Sequence, residues 1–100
     1  MMELNEITKK MNELATLNAG KIDAKIKFEF SDGCVLINDT TSPPTISNEN
    51  NDADCVIEIN NENFSEILNK KMSSMSAFMT GKMKIKGEMT IAMKLSSLFD

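Results

Sequence analysis

The chain has 100 residues, of which 41% are hydrophobic and 26% charged, a composition that predicts one globular domain over residues 1–100. Its net charge is −4 and it has no arginine, which argues against nucleic acid as a partner because phosphate recognition relies on arginine and basic surfaces. It has no histidine, the commonest general base and zinc ligand, and no nucleophile motif, so the sequence predicts neither an enzyme nor a bound cofactor.

The first predicted element is an amphipathic helix from about Glu3 to Asn18, because apolar residues recur there every three or four positions and Gly20 follows. The period then changes to two. Over residues 22–30 every even position is apolar, and charged residues occupy the odd positions between them. This alternation predicts a strand that is buried on one side.

The dipeptide Asp32-Gly33 follows this strand and favours a two-residue hairpin turn. In the register that this turn sets, Phe30 faces Val35 and Phe28 faces Ile37. Both pairs are apolar and lie on one side of the sheet, so the register agrees with the burial pattern.

The second half of the chain alternates between short strands and short helices. Its predicted elements are, in order, a loop at Asp39–Pro44, a weak strand at Thr45–Asn48, a strand at Cys55–Ile59, a helix capped by Asn60 or Asn61, a short helix or loop at Met72–Thr80, a strand at Lys82–Lys86 and a final helix at Glu88–Phe99. Consecutive strands joined by tight turns indicate a largely antiparallel sheet. With helices gathered on one of its faces, the fold class is α+β.

The final predicted helix is apolar around about 220° of its circumference, whereas a surface helix needs a stripe of only about 100°. Three interpretations stay open: a central helix between two neighbours, a helix that faces a partner chain, and a helix that lines a cavity for an apolar ligand. Ser96 lies inside the apolar arc. Its hydroxyl could donate to a ligand or bond back to the carbonyl four residues earlier.

Other features limit the location of the protein and its ligands. The N-terminus lacks the pattern of a signal peptide, and no apolar run is long enough to cross a bilayer. Cys34 and Cys55 fall in strand-like segments without a CxxC spacing, which favours reduced core residues in a cytoplasmic protein. The alternating acidic and amide residues at 48–54 lack the central glycine and final glutamate of a calcium loop, so we predict no metal site.

A stretch near the C-terminus reads Ala-Phe-Met-Thr-Gly-Lys-Met-Lys-Ile-Lys-Gly-Glu-Met over residues 77–89, and Ala-Met-Lys-Leu over residues 92–95. It closely resembles the C-terminal signature of the sterol carrier protein 2 domain family. The resemblance covers about a quarter of the chain at near identity, and the order of the other elements agrees with it.

The resemblance implies a five-stranded, mostly antiparallel sheet covered on one face by helices, with a hydrophobic tunnel between them. It further implies a protein that carries or sequesters a fatty acid, fatty acyl chain, sterol or isoprenoid without catalysing a reaction. The lipid-binding residues expected on this basis are Phe28, Ile37, Phe64, Leu68, Met75, Phe78, Met79, Met83, Ile85, Met89, Ala92, Met93 and Ser96.

The sequence departs from the family pattern in three places. Ser96 stands where glutamine is frequent, a proline before the signature is replaced by the sequence Ser-Met-Ser at residues 74–76, and the chain ends in Leu-Phe-Asp rather than in a peroxisomal signal. A ligand-free alternative also stays open, namely an interaction module that forms a homodimer or serves as an accessory subunit of a lipid-modifying enzyme. Lys82, Lys84 and Lys86 could touch anionic membranes transiently, or form a solvated outer face.

Overall fold

The computed structural model describes residues 2–99, without the side chain of Ser97, and has an α+β fold. Strands β1 to β5 span Lys25–Phe30, Gly33–Asn38, Thr45–Ser47, Cys55–Ile59 and Met83–Gly87. Helices α1 to α5 span Leu4–Leu17, Asn61–Leu68, Ser74–Met79, Met89–Met93 and Ser96–Phe99. The predictions about a signal peptide and a peroxisomal signal depend partly on Met1 and Asp100, which lie outside the described residues.

The five strands form one sheet in the order β3-β2-β1-β4-β5. Three neighbouring pairs are antiparallel and β1–β4 is parallel, so the prediction of a mostly antiparallel sheet is confirmed. The parallel pair arises because the chain leaves β3 at one edge and returns past β2 and β1 to form β4. This order places β5 at the other edge of the sheet.

The predicted register of the β1–β2 hairpin is wrong by two residues. Phe30 faces Gly33, and Phe28 faces Val35, so the turn consists of Ser31 and Asp32. Asp32 lies in the turn because two helices bind its side chain there. Its carboxylate accepts hydrogen bonds from the Leu4 backbone N–H of α1 at 3.1 Å and from Asn61 Nδ2 of α2 at 3.0 Å. A slip of two residues leaves every side chain on the same face, so the apolar pattern could not detect it.

The helices cover one face of the sheet, as predicted, and the core lies between the two layers. Three phenylalanines form its centre: Phe28 from β1, Phe64 from α2 and Phe99 from α5. The ring centroids of Phe64 and Phe99 are 5.4 Å apart in an edge-to-face arrangement, and those of Phe28 and Phe99 are 6.0 Å apart. Edge-to-face rings of this kind contribute about 0.5–1.5 kcal/mol beyond the burial of their area.

The segment 48–54 crosses the opposite, outer face of the sheet on its way to β4. There the Lys27 ammonium donates to Asn50 Oδ1 at 2.8 Å and forms an ion pair with Glu29 at 3.6 Å. The Cys34 thiol lies 3.6 Å from the Asn48 carbonyl oxygen. Cys34 and Cys55 are both buried and free, in the strands where the sequence placed them.

The predicted single helix at the C-terminus is wrong, because the chain forms α4 and α5 with a turn at Lys94 and Leu95. The backbone tightens there through bonds of the i to i−3 type, from Leu95 N–H to the Ala92 carbonyl and from Leu98 N–H to the Leu95 carbonyl. Each helix therefore has its own buried side. A single helical wheel drawn through both helices adds the two buried sides together. Much of the wide apolar arc therefore comes from the break and not from one helix that is apolar all round.

Candidate functional site: an apolar groove at the edge of the sheet

An apolar groove of about 300 Å³ lies where α3, the edge strand β5 and the α4–α5 unit meet. This volume falls at the lower end of the range found for small-molecule sites. Ten residues line the groove: Ser74, Met75, Phe78, Met83, Ile85, Met89, Ala92, Met93, Leu95 and Ser96. Eight of these side chains are apolar, so the groove suits a hydrocarbon ligand.

The alternating pattern of β5 supplies the floor of the groove. Met83 and Ile85 face the helices, opposite Ile59 and Ile57 of β4, and the lysines between them face outward. The end of β5 is held close to the loop before β4 at Gly87, whose φ is +103°. A Cβ atom there would lie 2.5 Å from the Asp54 carbonyl oxygen, so glycine is required at this position.

Helix α3 forms one wall of the groove and begins at a side-chain cap. The Ser73 hydroxyl oxygen accepts a hydrogen bond from the Ser76 backbone N–H at 3.0 Å, which satisfies a donor that the helix itself leaves free. Ala77 is fully buried beneath the helix and fixes it to the core. Met75 and Phe78 are thereby placed at the mouth of the groove.

Among the side chains that the structure describes, those of Ser74 and Ser96 are the polar ones that line the groove. Ser96 is exposed, and its hydroxyl donates to the Met93 carbonyl at 3.3 Å. The predicted back-bond to the carbonyl four residues earlier is thus replaced by one to the carbonyl three residues earlier, because the helix is broken there. Within the part of the chain that the structure describes, no ionisable side chain lines the groove and no cluster of potential metal ligands occurs.

The rim of the groove consists of exposed side chains that we call the methionine rim: Met75, Phe78, Met79, Met89 and Met93. Met79 is 77% exposed and Met93 67%. A cluster of large apolar side chains this exposed is unusual on a protein surface. The groove therefore opens to solvent along one side. Methionine is flexible and polarizable, and adapts its shape to different apolar surfaces.

Eight of the thirteen residues expected from the sequence are brought together in this groove: Met75, Phe78, Met83, Ile85, Met89, Ala92, Met93 and Ser96. The other five are placed elsewhere. Phe28, Phe64 and Ile37 are fully buried among core residues, and Leu68 is partly buried against that core. Met79 belongs to the rim but does not line the groove.

Two residues of the groove were missing from the sequence-based set. Leu95 lies in the apolar arc of the final segment and in the Ala-Met-Lys-Leu motif, so the signal for it was present. Ser74 is buried, but a serine within the predicted short helix or loop at Met72–Thr80 carries no apolar signal that would mark it. Only the folded position of α3 identifies it.

Two larger hollows, of about 420 and 440 Å³, lie on the outer face of the sheet. Their linings include Glu29, Glu58 and Lys84 in the first and Glu29, Asn48 and Asn50 in the second. These shallow polar surfaces offer little apolar area, so the smaller groove is the better candidate for binding an apolar molecule despite its size.

The residues whose pKa is shifted stand outside the groove. Burial raises the pKa of the Cys55 thiol, with a further rise from the negative charges of Asp54 and Glu88. A hydrogen bond from Asn61 lowers the pKa of Asp32. The thiol is therefore kept in its protonated, unreactive form, and neither shift points to catalysis at the groove.

The sequence profile of the SCP-2 sterol transfer family matches residues 3–100. The chain belongs to this family. The resemblance read from residues 77–95 is thereby confirmed, and the chain shares with this family a fold that is associated with the binding and transfer of lipids or sterols. Among the described residues, no helix is long and apolar enough to cross a membrane.

Sterol carrier protein 2 from Homo sapiens is 33% identical over 100 residues, a match that covers 93% of this chain and 18% of the human protein. The chain thus spans less than a fifth of the length of the curated relatives it matches. Among solved structures, sterol carrier protein domain 2 of Helicoverpa armigera superposes with a TM-score of 0.76 at 23% identity, covering 93% of this chain and 84% of that one. The apo form of sterol carrier protein 2 from Yarrowia lipolytica gives 0.71 at 20% identity, covering 94% and 77%. These structures support the fold.

Proposed function

We propose that the chain binds one hydrocarbon chain non-covalently in the groove between α3, β5 and α4, and carries or sequesters it. The observation that supports this function is the groove itself, in which eight of the ten lining side chains are apolar and none is charged. A ligand with a slender acyl or isoprenoid chain suits a volume of about 300 Å³ better than a rigid multi-ring sterol.

Apolar burial supplies most of the binding free energy. A dozen buried methylenes contribute about 10 kcal/mol at about 0.8 kcal/mol each, and association costs at least about 4 kcal/mol. The remainder of about 6 kcal/mol corresponds to a dissociation constant in the tens of micromolar. A hydrogen bond from Ser74 or Ser96 adds only about 1 kcal/mol, so chain length determines affinity and the head group matters little.

The groove becomes the tunnel that the family resemblance implies when its rim closes over the ligand. Met75 and Met93 are exposed at the mouth and each has three rotatable side-chain bonds, so they can fold over a bound chain. Phe28, Phe64 and Phe99 pack against one another in the core and do not line the groove, so the ligand does not displace them.

Uptake of a fluorescent fatty acid by the purified chain tests this function, together with native mass spectrometry for a single bound lipid. Met93→Lys places a charge at the mouth of the groove and should weaken uptake about tenfold, with little change in melting temperature. Leu17→Lys is the matched control, because Leu17 is 80% exposed on α1, outside the groove. The control should bind as the parent chain does, whereas equal binding by Met93→Lys would contradict the proposal.

Ala92→Phe provides a second test from inside the groove. Ala92 is buried against the groove, and a phenyl ring at this position would occupy much of the ligand volume. Uptake should fall more steeply than the melting temperature does. A parallel loss of both would identify Ala92 as an ordinary core residue and would count against a ligand site.

The exposed methionine rim also favours a second candidate function, that of an accessory module that docks through this surface without a ligand. A chain that forms a stable dimer in solution and takes up no lipid, as measured by light scattering and the same uptake assay, would support this alternative over the carrier.

A further inference from the structure

Every exposed methionine that the structure describes belongs to the methionine rim. These residues are Met75, Met79, Met89 and Met93, which are between 46% and 77% exposed. The other described methionines are partly or fully buried, and Met11 and Met83 are almost inaccessible to solvent. A small oxidant dissolved in water therefore reaches methionine sulfur mainly around the mouth of the groove.

The two cysteines of the chain are poorly placed to compete for such an oxidant. Cys34 and Cys55 are both buried and free, and the segment 48–54 lies over the Cys34 thiol. Burial and the negative charges of Asp54 and Glu88 raise the pKa of the Cys55 thiol and keep it protonated. Because the thiolate is the form that reacts readily with peroxide, the accessible sulfur of this chain is the thioether of the rim.

Oxidation of these side chains changes the chemistry of the groove wall. Met75, Met89 and Met93 line the groove, whereas Met79 does not. A sulfoxide is polar and accepts hydrogen bonds, which it would lose against a hydrocarbon ligand. The described polar side chains of the lining are two serines, and the Ser96 hydroxyl already donates to the Met93 carbonyl at 3.3 Å. An oxidised side chain therefore turns into water and uncovers the ligand, or is buried at a cost in affinity.

We propose that the methionine rim is a reversible oxidation site, at which hydrogen peroxide lowers the affinity of the groove and methionine sulfoxide reductases restore it. In the forward step the O–O bond of the peroxide breaks and one oxygen bonds to the methionine sulfur, which loses two electrons. The other oxygen leaves as water with both protons. In the reverse step two thiols of the reductase form a disulfide, and the sulfoxide oxygen leaves as water. The inference rests on the proposed function, because it concerns regulation of the same groove.

Treatment of the purified chain with hydrogen peroxide tests the proposal, with peptide mass spectrometry and, after catalase has removed the peroxide, the fatty acid uptake assay. The rim methionines should each gain one oxygen, while Met11 and Met83 stay unmodified. Uptake should fall at least about tenfold with little change in melting temperature. Methionine sulfoxide reductases A and B together should restore uptake. Dithiothreitol alone should not, and recovery with it would assign the loss to cysteine and overturn the proposal.

Met79 provides an internal control, because it belongs to the rim but does not line the groove. A saturated fatty acid at ten times its dissociation constant leaves about one groove in eleven empty. Oxidation of Met75, Met89 and Met93 should then slow by up to about tenfold, while the rate at Met79 stays the same. Equal rates at the three lining residues with and without the fatty acid would show that the ligand does not cover them, and would overturn the proposal.

A triple variant with Met75→Leu, Met89→Leu and Met93→Leu keeps the lining apolar but removes its accessible sulfur. The readout is the ratio of uptake after peroxide to uptake before it, which should stay near one in the triple variant. Met79→Leu is the matched control and should remain as sensitive as the parent chain. Unchanged uptake by a parent chain with an oxidised rim, or an equal loss in the triple variant, would overturn the proposal and leave the carrier function standing. A parent chain that takes up no fatty acid before peroxide would overturn both.

Discussion

Asp39 shows how a single carboxylate can fix a loop. It follows β2, is buried, and accepts hydrogen bonds at 2.9 Å from the backbone N–H groups of Gly20, Ile22 and Asp23. Burial alone raises the pKa of Asp39, but the three donors outweigh it and hold the pKa below its ordinary value of 3.8. The carboxylate thus connects the loop between α1 and β1 to the end of β2.

Asp39→Asn should reduce the free energy of unfolding by about 2 kcal/mol at neutral pH, because an amide offers one acceptor oxygen where the carboxylate offers two. Since the folded pKa is the lower one, the stabilisation is complete above about pH 4. It is lost as the pH falls from there through the folded pKa. Urea unfolding at several pH values should show the difference between parent and variant shrinking in acid. Asp52→Asn, at an exposed site, is the control, and a difference that stayed constant with pH would contradict this account.

At the scale of single elements, the sequence predicts the position of helices and strands well because burial has a period. The alternation at residues 25–30 and 55–59 and the three-to-four spacing in α1 are direct consequences of having one buried side. The strand predicted from residue 22 begins only at Lys25, because the backbone turns at Asp23, whose φ is +50°. The hairpin register and the break at Lys94 and Leu95 depend instead on distant contacts, such as those of the Asp32 carboxylate with α1 and α2. A periodic pattern contains no information about such contacts.

The same limit explains the partial prediction of the groove. Phe28 and Met83 are both apolar residues at alternating strand positions, but one is packed against other phenylalanine rings and the other lines the groove. A pattern of burial cannot distinguish the core from a cavity wall, since both exclude water. The family signature located the groove because it covers residues 77–95, which include most of the lining.

Helix α3 has only six residues and so relies on its cap at Ser73. Ser73→Ala should lower the free energy of unfolding by about 1 kcal/mol, and its main effect should be fraying of α3, which forms a wall of the groove. Hydrogen exchange should quicken at the amides of α3, and fatty acid uptake should weaken more than global stability. Ser73→Asn keeps a capping oxygen without adding charge and should behave as the parent chain does. Unchanged exchange in Ser73→Ala would show that tertiary packing through Ala77 alone holds the helix.

At the scale of the whole molecule, the core and the groove lie in different places, but the free energy of ligand binding adds to the free energy of unfolding. The rings of Phe28, Phe64 and Phe99 fill the centre, so folding does not require a ligand to complete the core. The groove lies at the edge, where α3, β5 and α4 meet, and it exists only when all three are assembled. A ligand that binds there recognises the folded chain and not the unfolded one.

Binding should therefore appear as thermal stabilisation. A saturated fatty acid at ten times its dissociation constant should raise the free energy of unfolding by about 1.4 kcal/mol, which corresponds to about 6–11 °C for a chain of this length. Far-ultraviolet circular dichroism measures this shift, because the chain has no tryptophan or tyrosine for a readout by intrinsic fluorescence. Ala92→Phe should abolish the shift, whereas Leu17→Lys should retain it because that residue lies outside the groove. A full shift in Ala92→Phe would mean that the fatty acid stabilises the chain from another surface, since a filled groove has no room for it.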